Sequence, residues 1–102
     1  MIARIWRGKT RVSDRNEYFA YLNRTGVPDL KSTPGNQGVF VLCREDEGYT
    51  EFLLMSLWDS SESIESFAGK DLERARYYPE DKKYLLKLEP DVEHFEVLSQ
   101  PK

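Results

Sequence analysis

LLMSLWDSSESIESF, residues 53–67, is the stretch that decides the fold. An apolar run of strand length ends at Trp58, and the polar residues Asp59 and Ser60 follow with no loop sequence between them. Asp or Ser directly before apolar residues at helical spacing is typical of a helix N-cap. The stretch therefore predicts a strand that ends in a tryptophan and passes straight into a helix capped by Asp59 or Ser60.

The segment before this junction has the pattern of a β-hairpin. VFVLCRE (39–45) and TEFLLMSLW (50–58) are rich in apolar, β-branched and aromatic residues, and only DEGY (46–49) separates them. So short a glycine-containing connection favours a hairpin. The remaining predicted elements are a strand over 2–9, a helix that starts at Ser13, a loop over 31–38, a helical restart after Gly69 through Leu72 and Ala75, a short helix from Pro79 and a last strand over 91–98.

The resulting order of elements is βαββαβ. With right-handed crossovers, this order predicts an α+β, ferredoxin-like fold in which a four-stranded antiparallel sheet carries both helices on one face. The chain has 102 residues, the length of one domain, so we assign residues 1–102 to a single domain.

Composition argues against several classes of function. The net charge of −3 gives no overall attraction to nucleic acid or to an anionic membrane, and no segment resembles a membrane span. We therefore expect neither a nucleic-acid partner nor a membrane partner. The N-terminus lacks a signal-peptide pattern, and Cys43 is the only cysteine, so we predict a cytoplasmic protein. Cys43 itself is predicted to be a buried small hydrophobe. One histidine and one cysteine cannot build a common zinc site, so we predict no metal centre.

The central hairpin is apolar on both faces, although a lone sheet with helices on one side needs only one apolar face. FLLMSLW (52–58) is apolar at six of seven positions, and VFVLC (39–43) is apolar throughout. Burying the second face against another copy predicts a homodimer with the sheets packed face to face.

From the alternation we expect a purely apolar set of residues to face the helices and a mixed set to face the partner sheet. The purely apolar set is Leu53, Met55 and Leu57; the mixed set is Phe52, Leu54, Ser56 and Trp58, with Ile2, Arg4 and Trp6 on the first strand and Val92, His94, Glu96 and Leu98 on the last.

The βαββαβ order, the two-sided hairpin and especially SLWDSSESIESFAG (56–69) resemble the antibiotic biosynthesis monooxygenase-like domains of the dimeric α+β barrel superfamily. The resemblance covers nearly the whole chain. It implies a small dimeric protein with a pocket between sheet and helices. Some members of that family oxidise polycyclic aromatic substrates without metal or flavin, and others bind and degrade haem.

Trp58 matches the Trp that the haem-degrading branch of this family has at the end of its third strand. The first strand, IARIWRGK, lacks that branch's Asn, and the helix SSESIESFAGK lacks its His. The Asn and Tyr that the quinone-forming branch uses near its Trp also have no counterparts here. The resemblance therefore implies the fold more fully than any one of the family's catalytic sets.

Two residues are candidates for catalysis. Trp58 has a large π-face suited to a planar aromatic ligand; the alternative is a ring packed in the core or in the dimer interface. His94 is the only histidine and titrates near neutral pH, so it is a candidate proton shuttle or axial ligand. The alternative is a structural histidine bonded to a carboxylate of Glu93 or Glu96.

Five further residues are candidates for substrate binding: Arg4, Trp6, Arg76, Tyr77 and Tyr78. A buried Arg4 needs an acidic partner or an anionic ligand. We expect an ion pair with Glu96 between subunits, and an anionic ligand is the alternative. The cluster RARYYPED (74–81) would either line the mouth of a pocket or pack the end of a helix.

The leading functional hypothesis is a small cofactor-independent, monooxygenase-like enzyme that acts on an aromatic or quinone-type molecule. Without metal or flavin, the substrate itself must form a stabilised anion able to react with oxygen, while the protein supplies orientation and electrostatic stabilisation. Two alternatives stay open. One is a non-catalytic dimeric module that binds a small ligand or acts in stress, and the other is a protein that binds or degrades haem through His94.

Overall fold

The computed structural model describes residues 1–101 and has an α+β fold. Its strands are β1 (Ile2–Arg11), β2 (Asn36–Asp46), β3 (Tyr49–Trp58) and β4 (Glu93–Glu96). Its helices are α1 (Arg15–Arg24), α2 (Gly26–Ser32), α3 (Ser61–Ala68) and α4 (Asp81–Tyr84), with a 3-10 turn, Val12–Asp14, before α1. The four strands form one antiparallel sheet in the order β2-β3-β1-β4, which is the ferredoxin-like arrangement. The predicted fold class is confirmed.

The predicted hairpin is formed by β2 and β3, which pair from Asn36 opposite Trp58 to Asp46 opposite Tyr49. Its turn is Glu47–Gly48, with φ angles of 51° and 87°. Two-residue hairpin turns favour positive φ at their central residues, a conformation that glycine adopts without steric cost. The short glycine-containing connection therefore sets the register of the two strands.

The junction after Trp58 also has the predicted form. Ser60 is the N-cap of α3, and its Oγ accepts a hydrogen bond from the backbone N–H of Ser63 at 3.3 Å. Trp58 itself is 0% exposed and packs against Leu30 of α2 and Ile64 of α3. The end of β3 is thus joined to two helices through one indole ring.

The helices cover the face of the sheet opposite to the one we predicted. The mixed set faces the helices, where Phe52 and Trp58 are buried in the core. The purely apolar set lies on the other face. Alternation determines which residues share a face, but not which face the helices cover. The polar members of the mixed set are satisfied inside the chain: Ser56 accepts the indole N–H of Trp58 at 2.9 Å, and Arg4 donates to backbone carbonyls.

The uncovered side of the sheet, which we call the open face, is apolar over its centre and charged at one end, where Arg7 pairs with Glu93 and Arg44 pairs with Glu51. Strand pairing brings its residues together: Leu53, Met55 and Leu57 of β3, Phe40 and Leu42 of β2, Ile5 of β1 and Phe95 of β4. The side chains of Phe40, Leu42 and Phe95 are about half exposed. An apolar surface continuous across four strands is unusual for a protein that acts alone.

The predicted helical restart after α3 is wrong, because residues 69–80 contain no helix. The carbonyls of Leu72 and Arg74 accept hydrogen bonds from the guanidinium group of Arg4. In a helix those carbonyls would accept backbone N–H groups of the following turn. The contact with β1 therefore replaces helical bonding. The short helix predicted from Pro79 is present as α4, but it begins at Asp81.

The predicted burial of Cys43 is wrong. Cys43 is exposed, not buried, because β2 is an edge strand that the helices leave partly uncovered; its Sγ lies 3.4 Å from Nε and Nη2 of Arg15.

Within residues 1–101, none of the helices has the length and apolarity needed to cross a membrane.

Candidate functional site

A cavity lies between the helix-covered side of the sheet and the segment 69–80, with α1 and α2 closing one side. The centre of a water molecule can reach about 40 Å³ of it, and its empty volume including the open mouth is about 500 Å³. All five predicted substrate-binding residues line it: Arg4, Trp6, Arg76, Tyr77 and Tyr78. The sequence therefore identified residues from two distant segments that the fold brings to one cavity.

Arg4 is the most unusual group in this cavity, because it is a cation with only 4% of its surface exposed. Its guanidinium donates to the carbonyl oxygens of Leu72 and Arg74, the latter at 3.0 Å. None of the ion pairs within residues 1–101 involves Arg4. Burial lowers the pKa of Arg4 to about 10, so the group is still protonated at neutral pH. The expected ion pair with Glu96 of a partner is wrong, because Arg4 points toward the helix layer.

His94 lies beside Arg4 and does not line the cavity. Its Nε2 is 3.1 Å from Nη1 of Arg4, so the lone pair of the neutral ring accepts from the guanidinium. The expected carboxylate bond is replaced by this contact. Burial, and then the charge of Arg4, lower the pKa of His94, while Glu73 opposes the shift. The ring therefore stays neutral to lower pH than a free histidine and orients Arg4.

The tyrosines of the cavity wall are held by defined hydrogen bonds. The hydroxyl of Tyr77 donates to the carbonyl of Glu89 and accepts the indole N–H of Trp6 at 3.2 Å. The hydroxyl of Tyr78 donates to Oδ2 of Asp29 at 2.7 Å. Burial raises the pKa of both tyrosines, so both remain protonated near neutral pH.

Arg76 lies at the mouth of the same cavity. Its guanidinium stacks over the rings of Phe67 and Tyr78, with its central carbon 4.9 Å and 5.2 Å from the ring centroids. Asp29 lies 3.6 Å from its Nη2. Asp29 therefore contacts both Tyr78 and Arg76, and it connects the wall segment, residues 69–80, to α2.

Trp58 lies behind the cavity wall and is not among the residues that line the cavity. Its hydrogen-bond partner Ser56 does line it. The position of Trp58 is that of a packing residue one layer behind the cavity. Its catalytic role stays a prediction.

Asp81 lines the cavity, although the sequence did not single it out within the cluster RARYYPED (74–81). The first residue of α4, it is 4% exposed and lines the cavity together with Arg4. Its Oδ1 accepts the hydroxyl of Tyr18 at 2.9 Å, and its Oδ2 accepts the backbone N–H of Tyr78 at 2.6 Å. Burial raises the pKa of Asp81, and these two hydrogen bonds only partly oppose that shift. In the sequence, an acidic residue after Pro79 looked like an ordinary first-turn residue of a helix.

No group of three or more His, Cys, Asp or Glu side chains within residues 1–101 is arranged to hold a metal ion. The cavity combines a buried cation, Arg4, and a buried carboxylate, Asp81, with aromatic walls.

Comparison with known proteins bears on the fold. No family model and no curated protein matches the chain. Among solved structures, it is similar to the crystal structure of a MhuD variant with two manganese protoporphyrin IX molecules bound per active site. The TM-score is 0.63 at 15% identity, and the match covers 100% of this chain and 99% of that chain. At this identity the likeness establishes the shared α+β fold over the whole chain and nothing about ligands.

Proposed function

We propose that this protein is a small, cofactor-independent, monooxygenase-like enzyme whose substrate is a planar aromatic or quinone-type molecule bearing an anionic oxygen. The observation that carries the proposal is Arg4, a buried cation without a carboxylate partner, in a cavity walled by aromatic rings. The resemblance of the sequence to the monooxygenase-like family supports the same reading of the cavity.

Within residues 1–101, the guanidinium of Arg4 forms no ion pair. A buried ionised group is costly unless it is paired, and bonds to neutral carbonyls and a neutral imidazole leave its net charge uncompensated. An anionic oxygen of a ligand in the cavity would neutralise it with a charge-assisted hydrogen bond. Arg4 would then stabilise the substrate anion that must form before oxygen can react with it.

The cavity walls suit a flat substrate. Trp6, Tyr77, Tyr78 and Phe67 line it, and the rings of Trp6 and Tyr77 meet edge to face with centroids 6.2 Å apart. Aromatic side chains bind planar rings through stacked or edge-on contacts, so they would orient the substrate. In this role Arg76 binds an oxygen at the mouth, His94 orients Arg4, and Trp58 supports the wall through Ser56.

Substrate entry requires the wall segment to move. The 40 Å³ that a water molecule can reach holds a few waters, not a polycyclic ring. Within residues 69–80, Glu73 and Ala75 are fixed by backbone hydrogen bonds to residues 90–92, whereas residues 76–80 are held largely by side-chain contacts such as those of Asp29. We therefore assign the opening of the cavity to residues 76–80.

The first test is the Arg4→Gln variant. We expect it to bind dihydroxyanthraquinone about 10- to 100-fold more weakly, because a charge-assisted hydrogen bond is worth roughly 1.5–3 kcal/mol. Quenching of tryptophan fluorescence measures the binding. Arg7→Gln is the matched control, since Arg7 is an exposed arginine of the same strand on the opposite face, and its affinity should be unchanged. If Arg4→Gln and Arg7→Gln bind dihydroxyanthraquinone with equal affinity, Arg4 does not bind the ligand.

Oxygen uptake separates catalysis from simple binding. With dihydroxyanthrone and related dihydroxy-aromatic compounds, we expect wild-type protein to consume oxygen above the uncatalysed rate. Tight binding without uptake by any compound would instead support the alternative of a non-catalytic ligand-binding module. A protein that neither binds these compounds nor consumes oxygen with them would contradict the proposed site altogether.

The proposal includes a homodimer in which a second copy covers the open face. The centre of that face is apolar, and an isologous sheet-to-sheet interface would pack the same apolar residues of two copies against each other. The cavity lies on the other side of the sheet, so both copies would keep an accessible site.

Haem binding is the second candidate, and the likeness to the porphyrin-bound MhuD variant favours it. The residues of this chain do not fit a histidine-ligated haem. No histidine lines the cavity, as far as residues 1–101 go, and Nε2 of His94 is engaged with Arg4. We expect titration with haemin to leave the Soret band in its unligated position for wild type and His94→Ala alike. A shifted band that His94→Ala abolishes would contradict this expectation.

A further inference from the structure

The substrate anion that the proposed function needs must lose a proton to some group of the protein or to water. Within residues 1–101, Asp81 is the one carboxylate among the residues that line the cavity, and no imidazole lines it. The tyrosine hydroxyls there are protonated and already donate hydrogen bonds. The cavity therefore contains one side chain with the chemistry of a base.

We propose that Asp81 is the general base of this cavity and removes a proton from a phenolic or enolic hydroxyl of the substrate. The inference rests on the proposed function and names its proton acceptor and its substrate class. The O–H bond of the substrate breaks, a new O–H bond forms on the carboxylate of Asp81, and the electron pair stays on the substrate oxygen. Dioxygen is the oxidant of the step that follows, in which Asp81 transfers no electrons.

The geometry around Asp81 leaves it able to accept that proton. Each carboxylate oxygen accepts one hydrogen bond, from Tyr18 or from the backbone of Tyr78, so each retains a free lone pair. No salt bridge in the described chain involves Asp81. A carboxylate held by a guanidinium or an ammonium would be a much weaker base, and this one is not so held.

The surroundings of Asp81 also adjust its basicity. Tyr18 of α1 and the two wall tyrosines, Tyr77 and Tyr78, face it, and the cations Arg4 and Arg76 line the same cavity. Burial is the largest effect and raises the pKa of Asp81. A general base is most effective when its pKa lies near the working pH, so the shift favours proton abstraction.

Asp81 also has a structural role, because it accepts the backbone N–H of Tyr78 where α4 begins. Asparagine has nearly the same shape and one oxygen acceptor, but it cannot take a proton. A purely structural Asp81 would change stability when replaced, and it would leave the pH profile of the folded enzyme where it was. The pH profile therefore distinguishes the two roles.

The first experiment compares oxygen uptake with dihydroxyanthrone by wild type, Asp81→Asn and Glu80→Gln. Glu80 is the adjacent acidic residue and is exposed, so it is the matched control. We expect Asp81→Asn to lose about 100-fold or more in kcat, the usual contribution of a general base. Its affinity for dihydroxyanthraquinone should stay within a few-fold of wild type, and Glu80→Gln should resemble wild type.

The second experiment uses Tyr18→Phe, which keeps Asp81 and remains informative if Asp81→Asn does not fold. The hydrogen bond from the Tyr18 hydroxyl lowers the pKa of Asp81, so its removal should raise that pKa. The acidic limb of the kcat–pH profile should then move to higher pH. Tyr84→Phe is the control, because Tyr84 packs on Tyr18 with ring centroids 5.6 Å apart and does not bond to Asp81.

The outcomes separate the two proposals. The role of Asp81 is overturned if kcat for oxygen uptake by Asp81→Asn stays within about threefold of wild type. It is also overturned if Tyr18→Phe leaves the acidic limb of the kcat–pH profile unshifted. Neither result contradicts the proposed function. Wild-type protein without uptake overturns both. Loss of kcat in Asp81→Asn with retained ligand affinity, or the upward shift in Tyr18→Phe alone, supports Asp81 as the base.

Discussion

Replacing Trp58 with alanine is expected to lower the free energy of unfolding by about 3–5 kcal/mol, the usual cost of truncating a large buried aromatic side chain. Trp58 is 0% exposed and packs against Leu30, Ile64 and Phe67, with the Phe67 centroid 6.2 Å away. These neighbours belong to α2 and α3, so the indole ties both helices to the end of β3. A small protein has about 5–15 kcal/mol of stability in total, so the loss would be a large share of it.

Urea denaturation followed by circular dichroism measures this effect. Phe19→Ala is the control, since Phe19 is also aromatic but is 47% exposed on α1. Its cost should be about 1 kcal/mol or less, because little packing is lost at a half-exposed site. A cost below about 1 kcal/mol for Trp58→Ala as well would contradict the packing described here.

Trp58→Phe separates the ring from its N–H group. Phenylalanine retains much of the packing but leaves the buried Oγ of Ser56 without the indole donor, at a cost of about 1–3 kcal/mol. Adding Ser56→Ala to that variant should recover part of the loss, because the unpaired hydroxyl is then gone. Oxygen uptake by the folded Trp58→Phe protein also tests the catalytic role predicted for Trp58.

Phe40→Asp is expected to convert the proposed homodimer into a monomer at micromolar concentration. Phe40 is 50% exposed on the open face, opposite Met55 of β3. In a twofold-symmetric interface the substitution would bury two like charges in apolar surroundings, which costs several kcal/mol. We therefore expect the dissociation constant of the dimer to rise at least roughly 100-fold.

Sedimentation velocity over a range of concentrations measures the change. Phe19→Asp is the matched control: it introduces the same charge at a similarly exposed phenylalanine on α1, away from the open face. The control should dimerise like wild type. A monomeric wild-type protein at micromolar concentration, or a Phe40→Asp protein that dimerises normally, would exclude the proposed interface.

Much of the candidate site was predictable because its residues carry local patterns. Arg4 and Trp6 share one face of a strand by simple alternation, and Arg76, Tyr77 and Tyr78 are adjacent in the chain. Asp81 was not predictable, because its burial depends on contacts such as that with Tyr18, 63 positions earlier. Nothing in the residues around Asp81 distinguishes it from an exposed acidic residue at a helix start.

The sequence by itself determined the order of the four strands, a hairpin turn within residues 46–49, a helix after β3 capped by Asp59 or Ser60, and the apolarity of both sheet faces. Each of these follows from propensities and periodicities that act over a few residues. Only the tertiary structure decided which sheet face the helices cover and why residues 69–80 are not helical. Both depend on partners distant in sequence: the helices pack over the face that holds Trp58, and Arg4 takes the carbonyls that a helix would have used.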